Sequence, residues 1–453
     1  MALAALAALA GILFGIGETN NATAAAAQSS GRTHVGVASC GGTTCHGRQE
    51  ADGEIVRQDE ILQWQEPSTA AGSHSRAYAV LTSARSQNIA RELGIGDASS
   101  AEMCLGCHAT YTSARGPRFQ LTDGVGCESC HGPAGGEGGW LASHYAVGNS
   151  HAANVSRGLT PLDNPRARAS VCLDCHFGST DAGQFVNHRI MAAGHPRIVF
   201  ELDLFSTLQQ HWDEDDDYRQ RKGATNHVQL WAVGQATALE RSLTLFASPR
   251  LGVEGMFPEF YFFDCHTCHR RIYDDPNARP TGTANPSRPI PNGYPSYQDE
   301  NMIMLSAAAR VLAPGAAGEF DRNSRAFHSA MAQGRSASVQ AAGRLRQSAA
   351  NLASVFANAA FTREQTFAIV DTIASEAIRS RFTDYEGSVQ AVMATDTLLN
   401  AMVSQGTVSE GAAEAIRTDI NAAYAAVREP NAYRPAEFRA ALGRAASAIR
   451  RLR

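Results

Sequence analysis

Ten cysteines stand in five pairs, and each pair is followed at once by a histidine. They read CGGTTCH (Cys40, Cys45, His46), CLGCH (Cys104, Cys107, His108), CESCH (Cys127, Cys130, His131), CLDCH (Cys172, Cys175, His176) and CHTCH (Cys265, Cys268, His269). Paired thiols admit three chemistries: disulfides, a zinc site, or covalent haem attachment through C-x-x-C-H. Only attachment accounts for the histidines. Histidine is 15 of 453 residues, so its recurrence after all five pairs is no accident of composition. Two thioether bonds would fix a porphyrin edge to one turn of backbone, and the next residue would direct its imidazole at the iron. Five covalently attached haem c groups are the expected cofactors. CGGTTCH departs from the pattern, with four residues between its cysteines instead of two. Gly41 and Gly42 relax the loop where a bulge needs unusual dihedrals, and we read it as the first haem site in preference to a Cys40–Cys45 disulfide.

Five haems need ten axial ligands, and the motifs supply five. The remaining histidines are His34, His74, His144, His151, His188, His195, His211, His227, His266 and His328, and histidine is a common second ligand. Residues 31–280 offer about 50 residues per haem, too few to bury each in a pocket of its own. The haems must therefore form much of the core and lie close together. Met191 is the one methionine placed to ligate, and we expect it to pack against a haem edge.

The stretches GSHSRAYAVL, VGCESCHGPAGG with WLASH, and FVNHRIMAAGHPRIVFELD resemble the multihaem c-type cytochromes related to cytochrome c-554, over about Val35 to Arg270. That resemblance implies a mainly α chain with few strands and long irregular segments wrapping a stack of haems. It also implies two histidines on most irons and electron transfer outside the cytoplasmic membrane. The namesake has four haems, so five motifs are a departure. Carried over by residue, the resemblance makes His74, His188 and His195 distal ligands. The last two lie two helical turns apart, able to serve neighbouring haems from one side of a continuous helix. His144 and His227 complete the expected set, with His151 and His34 as rivals. His266, His211 and His328 are expected to lie outside the ligand set, the last two at the surface.

Around these sites the chain divides by composition. Residues 1–27 combine an apolar run with small residues at the positions a secretory signal cleavage requires, which predicts a periplasmic or otherwise exported protein. The run is too short for the ~20 residues of a spanning helix, so no membrane span is expected after signal cleavage. Residues 31–280 form the expected pentahaem domain, 281–300 a Pro/Gly-rich linker and 301–453 an Ala-rich helical bundle. In the bundle, Leu345, Ala349, Leu352 and Phe356 share one helical face. Capping boxes are predicted at Thr362/Gln365, Thr383/Glu386 and Thr407/Glu410. The acidic run WDEDDDY reads as a solvated loop. A net charge of -5 and a pI near 6.3 give no reason to propose nucleic acid as a partner. The reading is an electron carrier whose partners are redox proteins. The alternative is an oxidoreductase with one open iron acting on a small nitrogen or sulfur compound.

Overall fold

The structure, a computed structural model, describes residues 31–51, 56–253, 255–269, 288–290, 294–378 and 384–453. The expected signal segment, residues 1–27, lies outside them, as does Thr383. Among the described residues the protein is mainly α. The one sheet among the described residues is a two-residue antiparallel ribbon, Arg32–Thr33 against Gly135–Gly136, with Arg32 opposite Gly136. No described helix is long and apolar enough to cross a membrane.

From residue 31 to about 160 the chain runs as short helices joined by turns, over a small apolar cluster of Leu81, Ala90, Ala98, Leu105 and Ala109. Four of the five motifs are helical turns: Glu102–His108, Cys127–His131, the end of Pro165–His176, and Cys265–Cys268. Helix places each cysteine pair three positions apart on one face, with the histidine on the next step. CGGTTCH instead folds as turns. Its loop is closed by Cys45 N–H donating to Gly42 O (2.8 Å) and His46 N–H to Cys40 O (3.2 Å), so backbone bonds return His46 to Cys40 despite the two extra residues.

Among the described residues the main core is one cluster whose members run from Ala169 to Ile449. Its axis is the helix His227–Ala247, started by the Asn226 side chain accepting from Gln229 N–H. Val228, Leu230, Trp231, Val233, Leu239, Leu243 and Phe246 are all buried, the pattern of a helix enclosed on every side. It packs on Pro165–His176, Glu300–Leu312 and Arg335–Ala357, joining the motif-bearing region to the carboxy-terminal bundle. The described part of 281–300 is no free tether. Tyr297 is buried, its ring against Phe327 (4.9 Å) and its hydroxyl 3.0 Å from Ser242 Oγ.

In the bundle, Leu345, Ala349, Leu352 and Phe356 are wholly buried along Arg335–Ala357. Thr362 and Gln365 form a reciprocal capping box at 2.9 and 3.2 Å. The other two caps fall elsewhere. Ser409, not Thr407, caps Glu410–Ala426, and Asp384 caps Tyr385–Ser404, because each has an oxygen one residue before its helix, where the orphan N–H groups open.

Candidate haem centres

Every motif histidine faces a second histidine. The ring centroids of His46 and His144 are 6.1 Å apart, His74 and His176 6.0 Å, His108 and His195 6.3 Å, His131 and His211 6.4 Å, and His188 and His269 6.1 Å. A metal–imidazole bond of about 2.0–2.1 Å on each side, plus about 1.1 Å from ring nitrogen to centroid, separates two axial imidazoles by about 6.4 Å. The residues present therefore fit five irons, each between two imidazoles drawn from distant parts of the chain.

Second-sphere bonds hold several of these rings with Nε2 directed away from their support. Nδ1–H of His108 donates to Ala77 O (2.9 Å), that of His195 to Pro196 O (2.7 Å), that of His211 to Gln209 O (3.1 Å) and that of His46 to Glu60 Oε2 (2.9 Å). A carbonyl or carboxylate can only accept, so the contact fixes the tautomer and leaves Nε2 for a metal. Burial pushes His131 and His176 down to about 4 and lowers His74, His144, His188, His195 and His211 as well. These imidazoles stay neutral, which is the metal-binding form. The Glu60 hydrogen bond does the reverse at His46, raising it.

Of the expected distal set, His74, His144, His188 and His195 stand opposite motif histidines. His227 does not. It starts the central helix, half-buried, with Nδ1 2.8 Å from Oδ1 of the buried Asp203, and it is in none of the five facing pairs. His211 takes the corresponding place opposite His131. It is half-buried rather than a surface residue, held against Trp212 (5.4 Å), which in turn lies under Arg168. The acidic run after it is partly structural: Asp213 binds Arg57 at 2.5 Å and Asp215 caps a helix. The Trp beside His211 was the available signal. His188 and His195 do not share a continuous helix. The helix His188–Ala192 ends before Gly194, whose φ of 114° breaks it, and the break turns His195 toward His108 while His188 meets His269.

Neither rival is in one of the five facing pairs. His151 Nε2 meets Asp163 (3.2 Å), while only the backbone N–H of His34 is bonded, to Ala114 O at 2.8 Å, its Nδ1 being buried without a hydrogen-bond partner. His328 is buried, 3.2 Å from Asp299 Oδ2, and His266 Nδ1 bonds Pro430 O (3.0 Å). Met191 is half-buried against the main core. Glu128, inside CESCH, carries a role the sequence did not suggest. Its carboxylate accepts from Val35, Gly36 and Ala134 N–H at 2.8–3.0 Å, tying the start of the described chain to the third motif.

The motifs also adjoin one another. Glu128 of motif three holds Gly36, four residues before Cys40, the helix Pro165–His176 packs on both Cys127–His131 and Glu102–His108, and Cys175 Sγ lies 3.7 Å from Gly106 O of motif two. Motifs one, three, four and two are neighbours in that order, and the segment carrying both His188 and His195 connects two to five.

Residues 39–132, about a fifth of the chain, match the family model described as cytochrome c554 and c-prime. No curated protein and no solved structure matches the chain. The match spans the first three motifs, whose histidines take part in three of the five facing pairs, and over that segment the chain is similar to cytochrome c554 and c-prime.

Proposed function

We propose that the protein is an exported pentahaem electron carrier in which electrons pass along the order of motifs one, three, four, two and five. The observation that carries this reading is the set of five facing histidine pairs at 6.0–6.4 Å. Haem c would supply one-electron chemistry when bound. Cys40 and Cys45, Cys104 and Cys107, Cys127 and Cys130, Cys172 and Cys175, and Cys265 and Cys268 would hold its porphyrin edges. His46, His108, His131, His176 and His269 would be proximal ligands, with His144, His195, His211, His74 and His188 opposite them in that order. With a histidine on each side of every iron, the residues would supply binding and tuning and would leave no open position for a substrate.

The side chains set the conditions for transfer. Phe200 and Phe205 crowd His176 at 5.3 and 5.1 Å, keeping water from the fourth site, and the Glu60 contact makes His46 a more basic ligand. Export rests on the apolar run and small residues of 1–27. Thioether attachment at CGGTTCH is tested by counting haem per chain by pyridine haemochrome in Cys40→Ala/Cys45→Ala. The count should fall from five to four, and an unchanged count would remove that stretch from the haem set.

A further inference from the structure

Behind the fifth motif lies a buried charged cluster that ligation does not use. Asp264, Asp299, Glu300, Asp384 and Glu386 are each less than 9 % exposed, and the guanidiniums of Arg197 and Arg288 lie among them with side chains 12 % and 11 % exposed. Cys265 N–H donates to Glu386 Oε2 (3.2 Å), and Arg197 Nη1 lies 3.6 Å from Cys265 Sγ. Asp264 Oδ2 accepts from Tyr385 N–H (2.8 Å) and Glu386 N–H (3.3 Å). Arg288 pairs with Asp299 and, at 2.6 Å, with Asp384, and His328 Nε2 is 3.2 Å from Asp299 Oδ2. Tyr261 lies under the Arg197 guanidinium, and Tyr297 is buried beside them.

Five carboxyls against two guanidiniums leave an excess of buried negative charge even if His328 is cationic, and such an excess is relieved by protonation. Glu300 is the carboxyl least served by partners. Its Oε2 is buried with no hydrogen-bond partner, and it lines a narrow cavity with Arg197, Tyr261, Asn301, Glu386 and Gln390, with room for about one water. Arg197 and Glu386 are 3.2 Å apart but lack an aligned N–H contact, and Arg197 acts on Glu300 through its charge.

We infer that Glu300 is a redox-linked proton-binding site for the fifth haem, an assignment that rests on haem attachment at Cys265 and Cys268. As an electron arrives from the neighbouring motif, the added negative charge beside Cys265 raises the affinity of the Glu300 carboxylate for a proton, which comes from solvent water. When the electron moves on, the proton leaves, and charge balances at each stage. By linkage the proton in turn favours the reduced state. Burial already pushes Glu300 up to about 7, against the pull of Arg197, and Asp384 up to about 6, which sets the coupling near neutral pH.

The test is spectroelectrochemical titration of the full haem-loaded chain at a series of pH values on both sides of neutrality. One haem component should lose potential as pH rises, with a slope approaching about 59 mV per tenfold change in proton activity for one electron. The slope should vanish in Glu300→Gln, and the component itself should vanish in Cys265→Ala/Cys268→Ala. A slope that persists in Glu300→Gln, or in the four-haem variant, overturns the inference. Should Glu300→Gln fail to fold, the reduced-minus-oxidised infrared spectrum of the wild type decides: a protonated-carboxyl band gained on reduction supports the site, and none overturns it. Five haems with pH-independent potentials would refute this inference alone, whereas a fifth motif without haem would refute the reading on which it rests.

Discussion

His211 and His227 show how a single residue is assigned by its neighbours rather than its type. Both are histidines near helix ends, but Asp203 holds His227 at 2.8 Å while His211 lies opposite His131. His211→Ala should leave one iron short of a ligand and add a high-spin component to the optical and electron paramagnetic resonance spectra. His227→Ala should leave the spectra low-spin and instead destabilise the fold by about 1–3 kcal/mol, because the buried Asp203 carboxylate loses its partner. High-spin character in His227→Ala and none in His211→Ala would reverse the assignment. The five cysteine–histidine motifs were legible in the sequence because covalent attachment would demand a fixed local spacing. Of the histidines opposite them, His74, His188 and His195 were expected from resemblance, and His144 was added to complete the set. His211 was not, since such a pairing is a contact between distant segments, and an acidic run beside His211 suggested solvent when Trp212 and Arg168 in fact cover that turn.

At the scale of elements, the helix His227–Ala247 decides how the molecule holds together. Periodicity found the bundle face of Leu345, Ala349, Leu352 and Phe356 because one side of that helix is wet. It could not identify the central helix as the partner of that face, since a helix buried all round carries no stripe to read. The same enclosure makes the composition boundary near 281–300 invisible in the packing, where one core runs from Ala169 to Ile449. Trp231 is wholly buried at the centre of this helix, and Trp231→Ala should cost about 3–5 kcal/mol. Its unfolding should be followed by far-ultraviolet circular dichroism and by haem absorbance together. We expect both probes to shift to lower denaturant by the same amount, whereas a shift in the dichroism alone would mean that the two regions unfold separately.

At the scale of the whole molecule, stability is unevenly distributed. The region before about residue 160 has a core cluster of only five buried apolar residues, all small or aliphatic, while the remainder shares a continuous core. Too little apolar surface is buried there to offset chain entropy, so on the proposed reading haem would serve the amino-terminal motifs as their missing interior, and each iron would cross-link segments far apart in sequence. Haem-free protein should therefore be cut by protease first within residues 31–160, leaving a resistant carboxy-terminal fragment. Uniform digestion of the two regions would contradict this. The central claim, five haems each held between two histidines, is tested most directly by electron paramagnetic resonance of the oxidised protein with haem counted in the same sample. The account predicts five haems per chain and low-spin signals alone, unchanged on adding nitrite or hydroxylamine. A high-spin signal that shifts with either ligand would contradict it and expose an open iron.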